Sequence, residues 1–217
     1  MNLAHPIWDF PIEMRPYVIF NSTITLDGRI ANKESRIMSR LEKNRIHELR
    51  ETVDAIMVDV ETIINENPLL DVRRGHEPYR VITDPKAEIP LNARVFESDG
   101  KKIVFVSSEA PGKKIEKLQK IEDMEVIRIG KFTVNLPDLL SKLSAKGIKR
   151  VLVEGYGSLP FRMLNENLID EIYISISPIL CKGRRLFERD FDNEIELELE
   201  GILQYGNQVV LHYTVKR

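Results

Sequence analysis

One cysteine, Cys181, and four histidines among 217 residues leave little for a disulfide or a thiolate–imidazole metal centre. A lone thiol has no internal partner and no Cys/His spacing matches zinc, so no metal is expected. Neither charge sign is in surplus: 34 acidic residues face 32 basic ones. They form no tail or stripe, which argues against a nucleic-acid footprint. No apolar run approaches the ~18 residues of a membrane helix. Signal-peptide character is also missing: Trp8 and Phe10 sit among Pro6, Asp9 and Pro11. The expectation is a cytoplasmic protein with no membrane or nucleic-acid partner. Repeats, low-complexity runs and linkers are absent too. An irregular arm over residues 1–15, broken by proline, and one domain over 16–217 are expected.

What the chain does have is apolar content of 42%, enough for one sizeable core. Tyr17 to Asn21 reads as a first strand, followed by the turn Thr25-Leu26-Asp27-Gly28. Ser39 to Arg50 reads as a helix, with Ser39 and Glu42 spaced as a capping box. Further strands are expected at Ala55 to Val60, Tyr79 to Thr83, Lys102 to Ser107, Glu125 to Ile129 and Val151 to Val153. Helices are expected at Thr62 to Glu66, Lys113 to Lys120, Leu136 to Lys146 (stopped by Gly147) and Leu159 to Asn165. Glu171 to Ser177 alternates as a half-buried strand. Ile195 to Leu203 and Gln208 to Val215 read as a closing hairpin turned at Tyr205-Gly206-Asn207. Alternating strands and helices, then consecutive strands, imply an α/β fold: a mostly parallel mixed sheet between helical layers, with antiparallel C-terminal strands.

The most informative stretch follows Val151-Leu152-Val153. Glu154 ends the strand, Gly155-Tyr156-Gly157-Ser158 turns, and a helix starts at Leu159. Amides at a helix start attract phosphate, and glycine admits close approach of a ligand to the backbone. The same pattern also serves as a plain strand-to-helix connection. In open α/β sheets ligands gather beyond the carboxyl ends of strands. Thr25 to Gly28, Asp59 to Thr62 and Val106 to Ser108 are further candidates to converge there, with Arg50 and Arg73 as an anion clamp. Each has a plainer reading. Asp27-Gly28 is a common turn pair, Thr62 suits a helix N-cap, and Arg50 complements a helix dipole. His47 reads as part of a partly exposed helix face, Cys181 as packed and inert, and Met38 as core filler.

Taken in order, these segments resemble the riboflavin-biosynthesis reductases, a family related in fold to dihydrofolate reductase. Arg15-Pro16-Tyr17-Val18-Ile19 and Thr25-Leu26-Asp27-Gly28-Arg29 resemble the family's first strand and its Ser/Thr-Leu-Asp-Gly-Lys turn. Ser35-Arg36-Ile37, His47-Glu48-Leu49-Arg50, Asn67-Pro68-Leu69-Leu70-Asp71-Val72-Arg73, Leu168-Ile169-Asp170-Glu171 and Ser177-Pro178 follow at the family's spacing. The resemblance implies a dihydrofolate-reductase-like three-layer fold and a homodimer. It also implies NADPH-dependent reduction (NADH being the alternative) of a ribosylaminopyrimidine 5′-phosphate to its ribityl form. With no deaminase domain in the sequence, the chain is most similar to the stand-alone archaeal and fungal members. These act on the 2,5-diamino pyrimidinone.

By the same resemblance, Thr25, Thr62, Glu66, Ser107 and Gly155, Tyr156, Gly157, Ser158 and Leu159 border the cofactor. Ser35, Arg50, Leu70, Arg73 and Glu154 hold substrate, and Asp27 or Glu154 assists proton movement. The chain departs from the family in two places. Tyr156 stands within a Gly-Gly-Gly-Thr turn, and Asp59-Val60-Glu61-Thr62 replaces Gly-x-Gly-Thr, placing two carboxylates beside a polyanionic ligand. A reductase for a pterin-like substrate, or a degenerate nucleotide-binding member, are the alternative readings.

Overall fold

The computed structural model describes residues 15–30, 38–187 and 189–217. The expected arm, apart from Arg15, and the substrate candidate Ser35 lie outside these residues. In chain order the strands are β1 (Tyr17–Thr25), β2 (Arg29–Ile30), β3 (Ala55–Asp59), β4 (Tyr79–Thr83), β5 (Lys102–Val106), β6 (Met124–Arg128), β7 (Arg150–Glu154), β8 (Glu171–Ser177), β9 (Arg184–Arg185), β10 (Leu197–Tyr205) and β11 (Gln208–Val215). The helices are α1 (Arg40–Arg50), α2 (Val60–Glu66), α3 (Gly112–Leu118), α4 (Leu136–Ala145) and α5 (Ser158–Asn165).

Nine strands form one sheet in the order β10-β11-β8-β1-β7-β3-β4-β5-β6. From β8 to β6 every pairing is parallel, and β11 and β10 are antiparallel. The parallel strands need both faces covered, and their composition supplies that: Ile56, Met57 and Val58 of β3 and Val151, Leu152 and Val153 of β7 are all fully buried. One face packs on α4 and α5 through Leu136, Leu139, Leu143, Leu159 and Met163. The other packs on α2 and α3 through Ile63, Ile115 and Leu118. Each fully buried aliphatic side chain contributes about 1.5–3 kcal/mol, so these two cores hold the three layers together.

The chain runs outward from β3 to β6, then returns through β7 to lie between β1 and β3. That reversal opens a crevice beyond the carboxyl ends of β1, β7 and β3. β1 extends beyond the expected Asn21 to Thr25, because its backbone pairs in register with β8 through Thr25 and Ser177. The apolar pattern stops at Asn21 because the strand there enters the crevice.

Helix α1 starts as expected at Ser39, whose side chain accepts from Glu42 N at 3.1 Å. The capping box is only half formed, since Ser39 N donates to Gln208 and the Glu42 carboxylate turns inward to Arg45. Asp170, just before β8, ties Arg15, ahead of β1, to the C-terminal Arg217. Its carboxylate accepts both Arg15 guanidinium bonds at 2.8 Å and Val18 N at 2.7 Å, and meets Arg217.

Candidate active site

The crevice holds a cavity of about 630 Å³. β1 contributes Asn21, Ser22 and Thr23; α1 contributes Lys43, Ile46, His47 and Arg50; α2 contributes Thr62 and Glu66. Leu70, Arg94, Glu154, Gly155 and Tyr156 complete most of the wall. A second cavity of about 700 Å³ adjoins it around α2 and Lys182 to Arg184, sharing Ile30, Glu66 and Tyr156.

The Gly155–Leu159 turn is built for close approach. Gly155 has φ +106°, and a Cβ there would stand 2.5 Å from Thr62 Oγ1. Gly157 has φ +79°, and a Cβ would meet Glu61 Oε2 at 3.3 Å. Both values lie where L side chains are strained, so glycine is required at each. Tyr156 is 7% exposed, joins the core beside α5 and lines both cavities. Burial pushes its hydroxyl pKa up. Gly157 caps α5 without a side-chain bond of its own, and the Asp59 carboxyl lies against the Leu159 N–H of the first turn.

Asp59, rather than Thr62, is the N-cap of α2, because its Oδ1 accepts Thr62 N at 2.8 Å. Thr62 is therefore inside the first turn. Its buried hydroxyl faces the equally buried Asp59 carboxyl. The Thr62 side chain packs directly on Gly155, which leaves no space for a Cβ there. Burial raises the Asp59 carboxyl pKa, with the Thr62 N–H, the Thr62 hydroxyl and the Leu159 N–H acting the other way. Glu61 meets a cation, pairing with Arg184 from β9. The short β2–β9 ladder carries that arginine in, and nothing in the apolar pattern signals two-residue strands.

Arg50 and Glu154 come together as a bidentate pair, Nε to Oε1 and Nη2 to Oε2 both at 2.7 Å, with side chains 11% and 12% exposed. Burial opposes the Arg50 charge, but Glu154 and Asp71 together more than offset it and hold the guanidinium above its ordinary pKa. Arg50 Nη1 also donates to the Asp71 carbonyl at 3.0 Å. Leu70, buried with φ +56°, places the 68–71 segment along the cavity.

The remaining candidates stand apart from this wall. Arg73 is exposed and donates to Asn44 at 2.6 Å. Ser107, at the end of β5, donates to the Pro85 carbonyl at 2.6 Å. Thr25 Oγ1 donates to Asp27 Oδ1 at 2.6 Å and accepts Arg29 N, holding the turn together and keeping the Asp27 carboxyl below its usual pKa. Ser158 opens α5, and Leu159 is buried beneath it. Met38 is 40% exposed and lines the cavity, which corrects its reading as core filler. Asn21, Ser22, Thr23, Lys43 and Arg94 are cavity residues that the sequence did not single out. Their only signal is polarity at the end of an apolar strand or along one helix face.

A family profile of the RibD C-terminal domain matches residues 16–211. The chain belongs to that family. It is 36% identical to the 2,5-diamino-6-ribosylamino-4(3H)-pyrimidinone 5′-phosphate reductase of Methanothermobacter thermautotrophicus, over 94% of this chain and all of that protein. A reductase of the same name from Archaeoglobus fulgidus is 34% identical over 79% of this chain and 84% of its own length. Among solved structures, the riboflavin biosynthesis reductase of Saccharomyces cerevisiae superposes with a TM-score of 0.77 at 21% identity, covering 94% of this chain and 91% of that one. Acinetobacter baumannii RibD gives 0.79 at 24% identity, over 94% of this chain and 59% of that one. These structures share the dihydrofolate-reductase-like fold, so this family member is a three-layer α/β/α protein of that type. Among the described residues no helix is long and apolar enough to cross a membrane, and no group of three His, Cys, Asp or Glu side chains could hold a metal ion.

Proposed function

We propose that this chain reduces the ribosyl group of 2,5-diamino-6-ribosylamino-4(3H)-pyrimidinone 5′-phosphate to ribityl in the cytoplasm, with NADPH as the reductant. The observation that carries the reading is the glycine turn after β7, with Gly155 in the left-handed region packed on Thr62, in the wall of a cavity of about 630 Å³. Similarity to the archaeal reductases along nearly the whole chain supports the substrate.

The residues present fit a nicotinamide dinucleotide. The Gly155–Gly157 turn would hold its diphosphate beside Thr62, and Arg184 stands beside them. When bound, that cofactor supplies a hydride to C1′ of the substrate. The chain's work is to position it. Lys43 and Arg94 offer positive charge to the substrate's phosphate, while Arg50, locked by Glu154, shapes the wall. Asn21 and Thr23 offer amide and hydroxyl groups to the pyrimidine or the ribose.

The chain also acts as a homodimer in this reading. By register, Leu199, Ile202, Leu211, Tyr213 and Ile174 share one face of the C-terminal strands. Leu199 and Ile202 are 51% and 62% exposed.

The test is oxidation of NADPH with the diamino pyrimidine nucleotide, followed by loss of reduced-nicotinamide absorbance. Melting is measured in parallel with NADPH, NADH and neither. Turnover and a rise in Tm with NADPH are expected, since a ligand of the folded state stabilises it. Folded protein that binds NADPH but leaves this nucleotide untouched has another substrate. Protein whose Tm neither coenzyme moves at millimolar concentration is no reductase.

A further inference from the structure

The two carboxylates that the sequence offers for proton transfer are poorly placed to deliver a proton. Asp27 is exposed, lies outside the cavity wall and is kept acidic by the Thr25 hydroxyl. Glu154 has both oxygens engaged by Arg50. Another titratable side chain on the wall, His47, is held in place by the backbone. His47 Nδ1 lies 3.1 Å from the Asp71 carbonyl oxygen. A carbonyl only accepts, so Nδ1 carries a hydrogen and the ring's exchangeable site is Nε2. Nε2 has no hydrogen-bond partner among the described residues, and the imidazole lines the cavity. The same carbonyl accepts Arg50 Nη1 at 3.0 Å. The ring is thus held beside the Arg50–Glu154 pair, and Leu70, in the left-handed region, presents that carbonyl.

We propose that His47 is a catalytic residue, its Nε2 delivering the proton that opens the ribosyl ring of the substrate. The inference rests on the function proposed above. A cyclic glycosylamine has no double bond at C1′ for a hydride to reduce, so the ring must open first. The Nε2 proton goes to the ring oxygen O4′ as the C1′–O4′ bond breaks, its electron pair staying on O4′. The lone pair of the exocyclic nitrogen forms the C1′=N bond of an iminium. His47 ends neutral and takes its next proton from solvent. The groups around the imidazole are Lys43 and Arg50 on its own helix, Asp71 on the facing segment, Glu66 on α2, Glu154 on β7 and Arg94 across the cavity.

The experiment compares wild type with His47→Asn, which keeps a donor for the Asp71 carbonyl but cannot titrate, and with His47→Gln. Single-turnover rates and KM are measured from about pH 5.5 to 8.5, the range in which imidazole ordinarily titrates. Tm and NADPH affinity are recorded alongside. The wild-type rate is expected to fall toward high pH, because the ring-opening step consumes a proton. Both variants should lose roughly a hundredfold or more in rate, with KM little changed and that limb of the profile gone. A variant within threefold of wild type overturns the proposal. So does a rise in KM with the rate kept, which makes His47 a phosphate anchor. So does a flat wild-type profile, a readout that needs no variant to fold. Wild type that binds NADPH but fails to reduce the nucleotide sinks the parent reading instead, before any variant is compared.

Discussion

Asp59 puts a carboxylate, 5% exposed, at the base of a site meant for anions. Two unit charges about 4 Å apart repel by roughly 4 kcal/mol at an effective dielectric near 20. An ionised Asp59 would therefore work against any nearby phosphate, and Glu61 would add to it without Arg184. Burial raises the Asp59 pKa. A carboxyl with a raised folded value binds its proton more tightly when folded. Its contribution to stability is thus complete below the unfolded value of about 3.9 and is lost as pH rises through the folded value. Asn is as good a helix cap as Asp but carries no charge. Urea unfolding of wild type and Asp59→Asn should show the variant gaining relative stability as pH climbs from about 4 to 7. A gap that does not change with pH would refute this. The residue pattern gave Asp59 as a departure and Thr62 as a cap. It could not show that Asp59 performs the capping, because a cap is decided by which side chain meets the N3 amide in space.

Helix α1 presents an inner face that is polar, contrary to what apolar periodicity leads one to expect. Glu42 is fully buried and takes Arg45 through Nε and Nη2 at 2.9 and 2.6 Å, while Arg45 Nη2 reaches Asn21 at 2.7 Å. A buried pair is tolerable only when complete, and removing one partner strands the other charge. Arg45→Met alone should cost about 3–5 kcal/mol in denaturant unfolding, and adding Glu42→Leu should recover most of it. Equal losses in the single and double variants would mean that the pair is not coupled. The extents of most helices and strands were legible from the sequence, since β3, β4, β5, β7 and β8 are continuous or alternating apolar runs. The polar end of β1 and the ladder of β2 with β9 were not. Their signal lies in pairing partners more than a hundred residues away.

The whole molecule ends in the β10–β11 hairpin, where Tyr213 and Val215 pack on the core while Leu199 and Ile202 stay exposed. An edge with exposed Leu199 and Ile202 invites pairing with another chain. Sedimentation should find a dimer for wild type and a monomer for Ile202→Lys, with Tm lowered at micromolar concentration because subunit association stabilises the fold. Unchanged sedimentation of the variant would place the interface elsewhere.

Local pattern alone determined the α/β class, the order of strands and helices and the glycine turn after β7, because burial and backbone preference act on neighbours in the chain. Tertiary structure decided which charges meet. Glu154 took Arg50, Glu61 took Arg184, and Asp71 fixed the ring of His47. Such pairings follow from through-space distance across a crevice, a quantity that spacing along the chain does not encode.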